Sequence, residues 1–300
     1  MKGSRKGAFF ICDSPKEGHH LAKNAAPVND WRLLHTTRYR FDHQVALGPH
    51  EIRLRPSGPL AGDVSEYRLR IWPAPSIAQW RLDLWNNHVF QAWFSSPVTE
   101  LTVSNQFRFH PGSANPFDFA LESSAVDYPI ELDAALSSNL APYLELPESA
   151  CWVEPWTAYQ GTSITLLLEL NRWINENIAY EARAEAGIQS CSQTLTSRRG
   201  SCRDTAWLLA LGLRKLGYPT RFVSGYWLQV DSGAGELHAW TEVYLPGAGW
   251  LGLDPTAGLL VSNQHLPVAR SPLPDQTAPI RGSHDGSPSQ PEFRVRVRRC

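Results

Sequence analysis

The chain has 300 residues, a formal net charge of -1, 42% hydrophobic residues and 19% charged residues. That length suits one large domain or two ordinary ones, and the balance is that of a globular chain rather than a disordered one. Near-neutral charge gives no reason to expect nucleic acid or an anionic membrane as a partner, and no run reaches the roughly 18 apolar residues of a membrane span.

Residues 1–30 are polar and basic without periodicity, and they read as a disordered extension. Their one apolar run, "AFFI", is too short for the central region of a signal peptide, so a cytoplasmic location is expected. Residues 31–112 carry short alternating runs, "HTTRYRFDHQV", "HEIRLRP", "EYRLRIWPAP" and "TELTVSNQFRFHP", separated by Pro, Gly and Asn-Asn turn signals. Such spacing predicts a small antiparallel β domain of sandwich type. Residues 113–154 show little strand pattern and read as a linker.

Residues 155–262 change texture. Ile164, Leu167, Leu168, Ile174 and Ile178 recur at helical spacing over about four turns, and Ala206, Leu209, Ala210, Leu213 and Leu216 do so again. Gly217 and Pro219 stop the second helix. A strand, "PTRFVSGYWLQV", and a hairpin turning at Pro246-Gly247-Ala248-Gly249 follow. The order helix, helix, strand, hairpin describes an α+β domain, with helices packed on an antiparallel sheet. Residues 263–300 are rich in Pro, Ser and Gly and end in "FRVRVRRC", an edge strand or a frayed tail.

Three residues in the α+β region suggest chemistry. Cys202 begins the second helix just after Gly200 and Ser201, where unpaired backbone N–H groups and the positive end of the helix dipole favour a thiolate. It also lies one helical repeat from Leu209, so packing is the plain alternative. His238 sits on the alternating strand "LHAWTEVYL", and Asp254 lies in "GLDPT" on the returning strand. Taken singly, these two are a polar group at a sheet edge and a turn residue. A five-residue hairpin loop over Leu245–Gly249 pairs Tyr244 with Trp250. It thereby sets His238 opposite Thr256 and diagonal to Asp254 on one sheet face, within reach of a carboxylate–imidazole hydrogen bond.

Of the other thiols, Cys12 and Cys300 lie in the terminal segments, while Cys151 and Cys191 have no base near them in sequence. Five cysteines in all, with no CxxC pair, argue against a disulfide framework or a thiolate zinc site. No metal or organic cofactor is expected. Asp204, two residues past Cys202, reads as a helix-terminus carboxylate. Trp207 and Trp240 read as packing, with walling of a cleft as the alternative.

The segments "GSCRDTAWLLALGLRKLGYPTRFVSGYW", "LHAWTEVYLPGAGWLGLDPTAG" and "LNRWINENIAYE" resemble the core domain of the bacterial transglutaminase-like superfamily, which includes a cysteine protease group. "HTTRYRFDHQVALGPHEIRLRP" resembles the β domain that precedes this core, and "HLPVARSPLPDQTAPIRGSH" the segment that follows it. The resemblance implies a papain-like, transglutaminase-like core with Cys202 as nucleophile, His238 as base and Asp254 as orienting carboxylate. It also implies amide bonds of a peptide or protein as substrate, cleaved by a protease or amidase or transferred by a transglutaminase. Many relatives carry a longer insertion where this chain has the short "DSGAGE". The alternative in another class is a catalytically silent module that binds or scaffolds peptides.

Overall fold

The computed structural model describes residues 10–13, 30–58, 63–110, 115–183, 185–229, 232–286 and 291–300. The β-rich first part forms β1 (Phe10–Asp13), β2 (Trp31–Val45), β3 (Leu47–Ile52), β4 (Asp63–Trp72), β5 (Ile77–Leu82), β6 (His88–Trp93) and β7 (Val98–His110). Period-two burial along β7, with Leu101, Val103, Asn105, Phe107 and Phe109 turned inward, shows why this texture makes strands. Then come α1 (Ser123–Val126), α2 (Ala134–Leu140), the longer α3 (Ser163–Asn177) and β8 (Ala179–Tyr180). Next come α4 (Cys191–Ser197), β9 (Arg199–Gly200), α5 (Cys202–Lys215), β10 (Thr220–Gln229), β11 (Ala234–Leu245), β12 (Gly249–Asp254) and β13 (Leu259–Leu260). The chain ends with β14 (His265–Ser271), β15 (Ile280–His284) and β16 (Glu292–Arg299).

The α+β class is as expected, but the parts are less separate than the sequence suggests. One antiparallel sheet runs β1-β4-β7-β2-β16-β11-β10-β14, with β12 and β13 attached to β11, and crosses from the first part into the second. The supposed tail makes this continuity. β16 pairs with β2 from Glu292↔Arg38 to Arg299↔Trp31 and touches β11 at Ala234 and Gly235, while β15 joins β3 in a second, four-stranded sheet. The alternation of Phe293, Val295 and Val297 with arginines is a strand pattern, and the Pro/Ser/Gly-rich stretch before it disguises it. β14 lies beyond the expected boundary at residue 262 yet completes the core sheet beside β10. Of the expected disordered extension, Phe10–Asp13 pairs with β4; its other residues, apart from Asp30, lie outside the described ones.

Two cores result. One lies between the sheets of the first part and also takes in Tyr226, Leu228, Leu266 and Val268 from the second. The other surrounds α5. The sequence pattern predicts one apolar stripe on α5, but the helix is buried on nearly every side, Leu208, Leu211 and Gly212 included. The reason is the residue 113–154 segment, which is a cover rather than a linker. Trp152 packs so closely that a Cβ at Gly212 would lie 2.3 Å from its ring. Arg214, also buried, donates to the carbonyl oxygens of Glu145, Thr220 and Pro272, and burial pulls its guanidinium down to about 10. At the helix end Gly217 adopts φ +86°, the left-handed stop expected of it.

Replacing Gly212 by Ala should therefore destabilise the protein by about 1–3 kcal/mol through overpacking. Urea unfolding followed by tryptophan fluorescence would measure this, and an unchanged midpoint would mean that the residue 113–154 cover does not press on α5.

Candidate active site

The first turn of α5 is held by a buried carboxylate. Asp204 accepts from the Ser201 N–H and hydroxyl (2.8 Å each), from the Gln189 N–H (2.7 Å) and from Arg183 Nη1 (2.7 and 2.8 Å). Burial works against its charge, but these donors win and hold its carboxyl below the ordinary range. Asp204 thus satisfies N–H groups at the helix entrance as expected, and Arg183 offsets its charge beside the thiol. Gly200 leaves room for it, since a Cβ there would stand 3.0 Å from that of Asp204.

Two hydroxyls then fix α5 against the sheet. Thr241 of β11 donates to the Ala206 carbonyl (2.6 Å), and the Thr205 and Thr256 hydroxyls lie 3.2 Å apart. The first ties the helix to the histidine strand and the second to the turn that follows Asp254. Cys202 precedes both tied residues by a turn, at the mouth of the helix, with 9% of its surface exposed. As the first helical residue, it has a backbone N–H with no acceptor inside the helix.

The hairpin register agrees with expectation at Tyr244↔Trp250, and the ladder is tighter than expected, with Leu245↔Gly249 also paired and Pro246 to Ala248 as the loop. Pairing stops at Thr241↔Leu253, so Thr256 does not come opposite His238 in the ladder. Asp254 instead opens a turn in which its Oδ1 accepts from the N–H groups of Thr256 (3.0 Å) and Ala257 (3.3 Å). That turn swings Oδ2 onto His238 Nε2, 2.9 Å away. The other ring nitrogen, Nδ1, is not engaged by Asp254, and the Cys202 side chain lies near enough to the imidazole to favour its charged form. The structure therefore brings together all three residues named from sequence.

Burial disfavours the imidazolium of His238, but hydrogen bonds and charge from Asp254 and Cys202 outweigh it and raise its pKa to about 10. Asp254 is likewise buried, and its bonds to two histidines hold it well below the usual carboxylate range. The second histidine, His265 of β14, was missed from sequence. Its Nε2 lies 3.1 Å from the same Oδ2. Its sign in the sequence is faint, a lone histidine opening a strand eleven residues past Asp254. Trp227 stacks near both imidazoles and Trp240 meets His265 edge-on at 5.2 Å, so indoles shield the group from water. Trp240 thus packs, but against the site; Trp207 packs in the helix core and donates to Glu148.

His238, Asp254 and His265 offer three ligand atoms within 4.8 Å of one another. The Ser262 N–H, however, donates to His265 Nδ1 (3.3 Å), which puts the proton on Nε2, the nitrogen a metal would need. The donor set is arranged for hydrogen bonding. Cys191 makes a useful contrast, because it too begins a helix. It is 1% exposed beside Glu148, and burial followed by that charge pushes its thiol up to about 12. Cys151 is exposed, its sulfur 2.9 Å from the Ser149 hydroxyl.

A buried carboxylate thus orients an imidazole that lies beside a thiol at the mouth of a helix. Residues 151–255 match the model of the Transglutaminase-like superfamily, and residues 31–109 match the Bacterial transglutaminase-like N-terminal region. The chain belongs to the transglutaminase-like superfamily, with the bacterial N-terminal region ahead of its core. An uncharacterised protein of Mycobacterium tuberculosis is 27% identical over 272 residues, covering 84% of this chain and 86% of its own. A protein-glutamine gamma-glutamyltransferase of Pseudomonas aeruginosa is 35% identical over 97 residues, 29% of this chain and 14% of that one. A solved structure from Cytophaga hutchinsonii, described as a candidate cysteine protease, superposes with a TM-score of 0.66 at 15% identity. It covers 97% of this chain and 93% of its own, and so shares the fold.

Asp204 supplies a test of the helix entrance. Its folded pKa lies below its ordinary value of 3.8, so its stabilisation is present at neutral pH and is lost as pH falls through the depressed value. Asp204→Asn should cost about 3–5 kcal/mol at pH 7, because it removes the buried charge on which Arg183 and three further donors converge and leaves Arg183 only the more distant Glu185. The difference from the parent protein should shrink by pH 3, as read by urea unfolding at the two values; an equal deficit at both would contradict this assignment.

Proposed function

We propose that this protein is a thiol acyl-transfer enzyme acting on amide bonds of peptides or proteins, with Cys202 as nucleophile, His238 as base and acid, and Asp254 as orienting carboxylate. The observation that carries this reading is the buried Asp254–His238 hydrogen bond, 2.9 Å long, with the Cys202 side chain close enough to the same imidazole to raise its pKa. In the first half-reaction, the thiol proton is already held by the His238 imidazole, and the sulfur attacks the carbonyl carbon as a thiolate. The N–H groups at the mouth of α5 face the developing oxyanion. The C–N bond then breaks, His238 returns its proton to the leaving amine, and a thioester remains on Cys202.

In the second half-reaction, water attacks the thioester while His238 takes its proton, which releases a carboxylic acid and restores the thiol. Hydrolysis is the primary reading, since water needs no binding site of its own. Transfer to a primary amine is the second reading, favoured by the similarity to the Pseudomonas gamma-glutamyltransferase over 97 residues. The N-terminal region shares its sheet and a core with the site-bearing part, so it acts as part of the catalytic body rather than as a tethered module.

Iodoacetamide alkylation at pH 6, located by peptide mass spectrometry, tests the nucleophile. Cys202 should react faster than the exposed Cys151, and His238→Ala should slow it by about tenfold or more. Reaction no faster than at Cys151, or indifference to His238, would leave the silent binding module as the better reading. A peptide library incubated with and without a primary amine then separates the acceptors: free acid marks hydrolysis, and amine-bearing product marks transfer.

A further inference from the structure

His265 has both ring nitrogens committed. The Ser262 N–H donates to Nδ1 at 3.3 Å, so the proton sits on Nε2 and is aimed at Asp254 Oδ2 at 3.1 Å. A tight turn, in which the His265 N–H donates to the Ser262 carbonyl, presents the ring. The neighbouring strand is cut to admit it. Pairing between β10 and β14 skips Val268, and a Cβ at Gly225 would fall 2.3 Å from the Leu266 carbonyl and 2.4 Å from the Trp240 ring. The sheet thus forgoes regularity and a side chain to bring a fixed-tautomer imidazole onto the carboxylate that already serves His238.

Two donors on one oxygen divide its charge. The titratable groups of this cluster are Cys202 from α5, His238 from β11, Asp254 from β12 and His265 from β14, with Tyr180 of β8 within the field of Cys202, whereas β10 contributes Trp227. Nothing in the acyl-transfer scheme above uses His265. We propose that His265 is a positioning residue: it locks the Asp254 carboxylate in place and tempers the pull of Oδ2 on the proton that His238 must later give up. It acts through Asp254 and touches no reacting atom. This inference rests on the reading of Cys202 and His238 as thiol and base. Its chemical logic is that a general acid held too firmly by its carboxylate is slow to protonate a leaving amine.

The pH dependence of Cys202 alkylation tests it without a known substrate. His265→Met removes the donor while keeping apolar bulk, and the full charge of Oδ2 should then fall on His238. The alkaline limb of the alkylation profile, the change in thiolate reactivity as the neighbouring His238 loses its proton, should move up by about 0.4–1.1 pH units, the worth of one hydrogen bond. His265→Asn reaches the Ser262 N–H but not Asp254 and should behave like Met. His265→Gln places an amide donor near the Nε2 position and should restore the limb to within about 0.2 units. The proposal is overturned if the limb stays put in the folded Met or Asn variant, or if Gln shifts it as far as they do. Should one of those two variants fail to fold, the other decides against Gln. Loss of the underlying base reading looks different, because His238→Ala would then leave alkylation unchanged whatever happens at His265.

Discussion

A single buried carboxylate organises this molecule. Asp254 accepts two backbone N–H groups on one oxygen and two imidazoles on the other, so every bond that fixes its orientation also fixes something else. The backbone bonds shape the turn between β12 and β13. The imidazoles join β11 to β14 across the β10 strand that lies between them. Burial penalises such a charge heavily, and the carboxylate persists only because all four donors are present together. The same economy recurs at Asp204, where four groups converge on the carboxylate that closes the start of α5.

Around these two anions the fold supplies rigidity. Helix α5 is covered on one side by the sheet and on the other by the residue 113–154 segment, and hydroxyls of Thr241 and Thr205 set its first turns. The thiol is therefore located by packing more than by its own bonds. Cys191 shows that a helix mouth alone is not sufficient. It too begins a helix, but Glu148 and full burial stand where Cys202 has an imidazole. The electrostatic surroundings, not the secondary-structure position, separate these two sulfurs.

The continuity of the large sheet bears on how the site is supported. β16 inserts between β2 and β11, and Tyr226 from β10 reaches His35 and Asn105 of the first part in a buried hydrogen-bonded group. Burial brings the His35 ring down to about 4, which keeps it uncharged there. Strands that carry the site are thus braced by strands that begin and end the chain, and relative motion between the two parts would break a continuous ladder.

Much of this was legible in the residue order. Helical spacing located α3 and α5, alternation located β11, the glycine and proline after Lys215 marked the stop, and hairpin parity put His238 and Asp254 on one face. Each of these depends on neighbours within about twenty residues, where geometry follows from local period. What could not be read there was decided by contacts far apart in sequence. The Pro/Ser/Gly-rich stretch hid two strands whose partners lie more than two hundred residues away. The cover over α5 has no period of its own. The meeting of His265 with Asp254 needs a bulge in β14 and a missing side chain at Gly225. Sequence by itself determined which short elements carry the thiol, the imidazole and the carboxylate; tertiary structure alone decided how many donors each buried charge receives, because that number is set by distant strands brought within hydrogen-bonding reach.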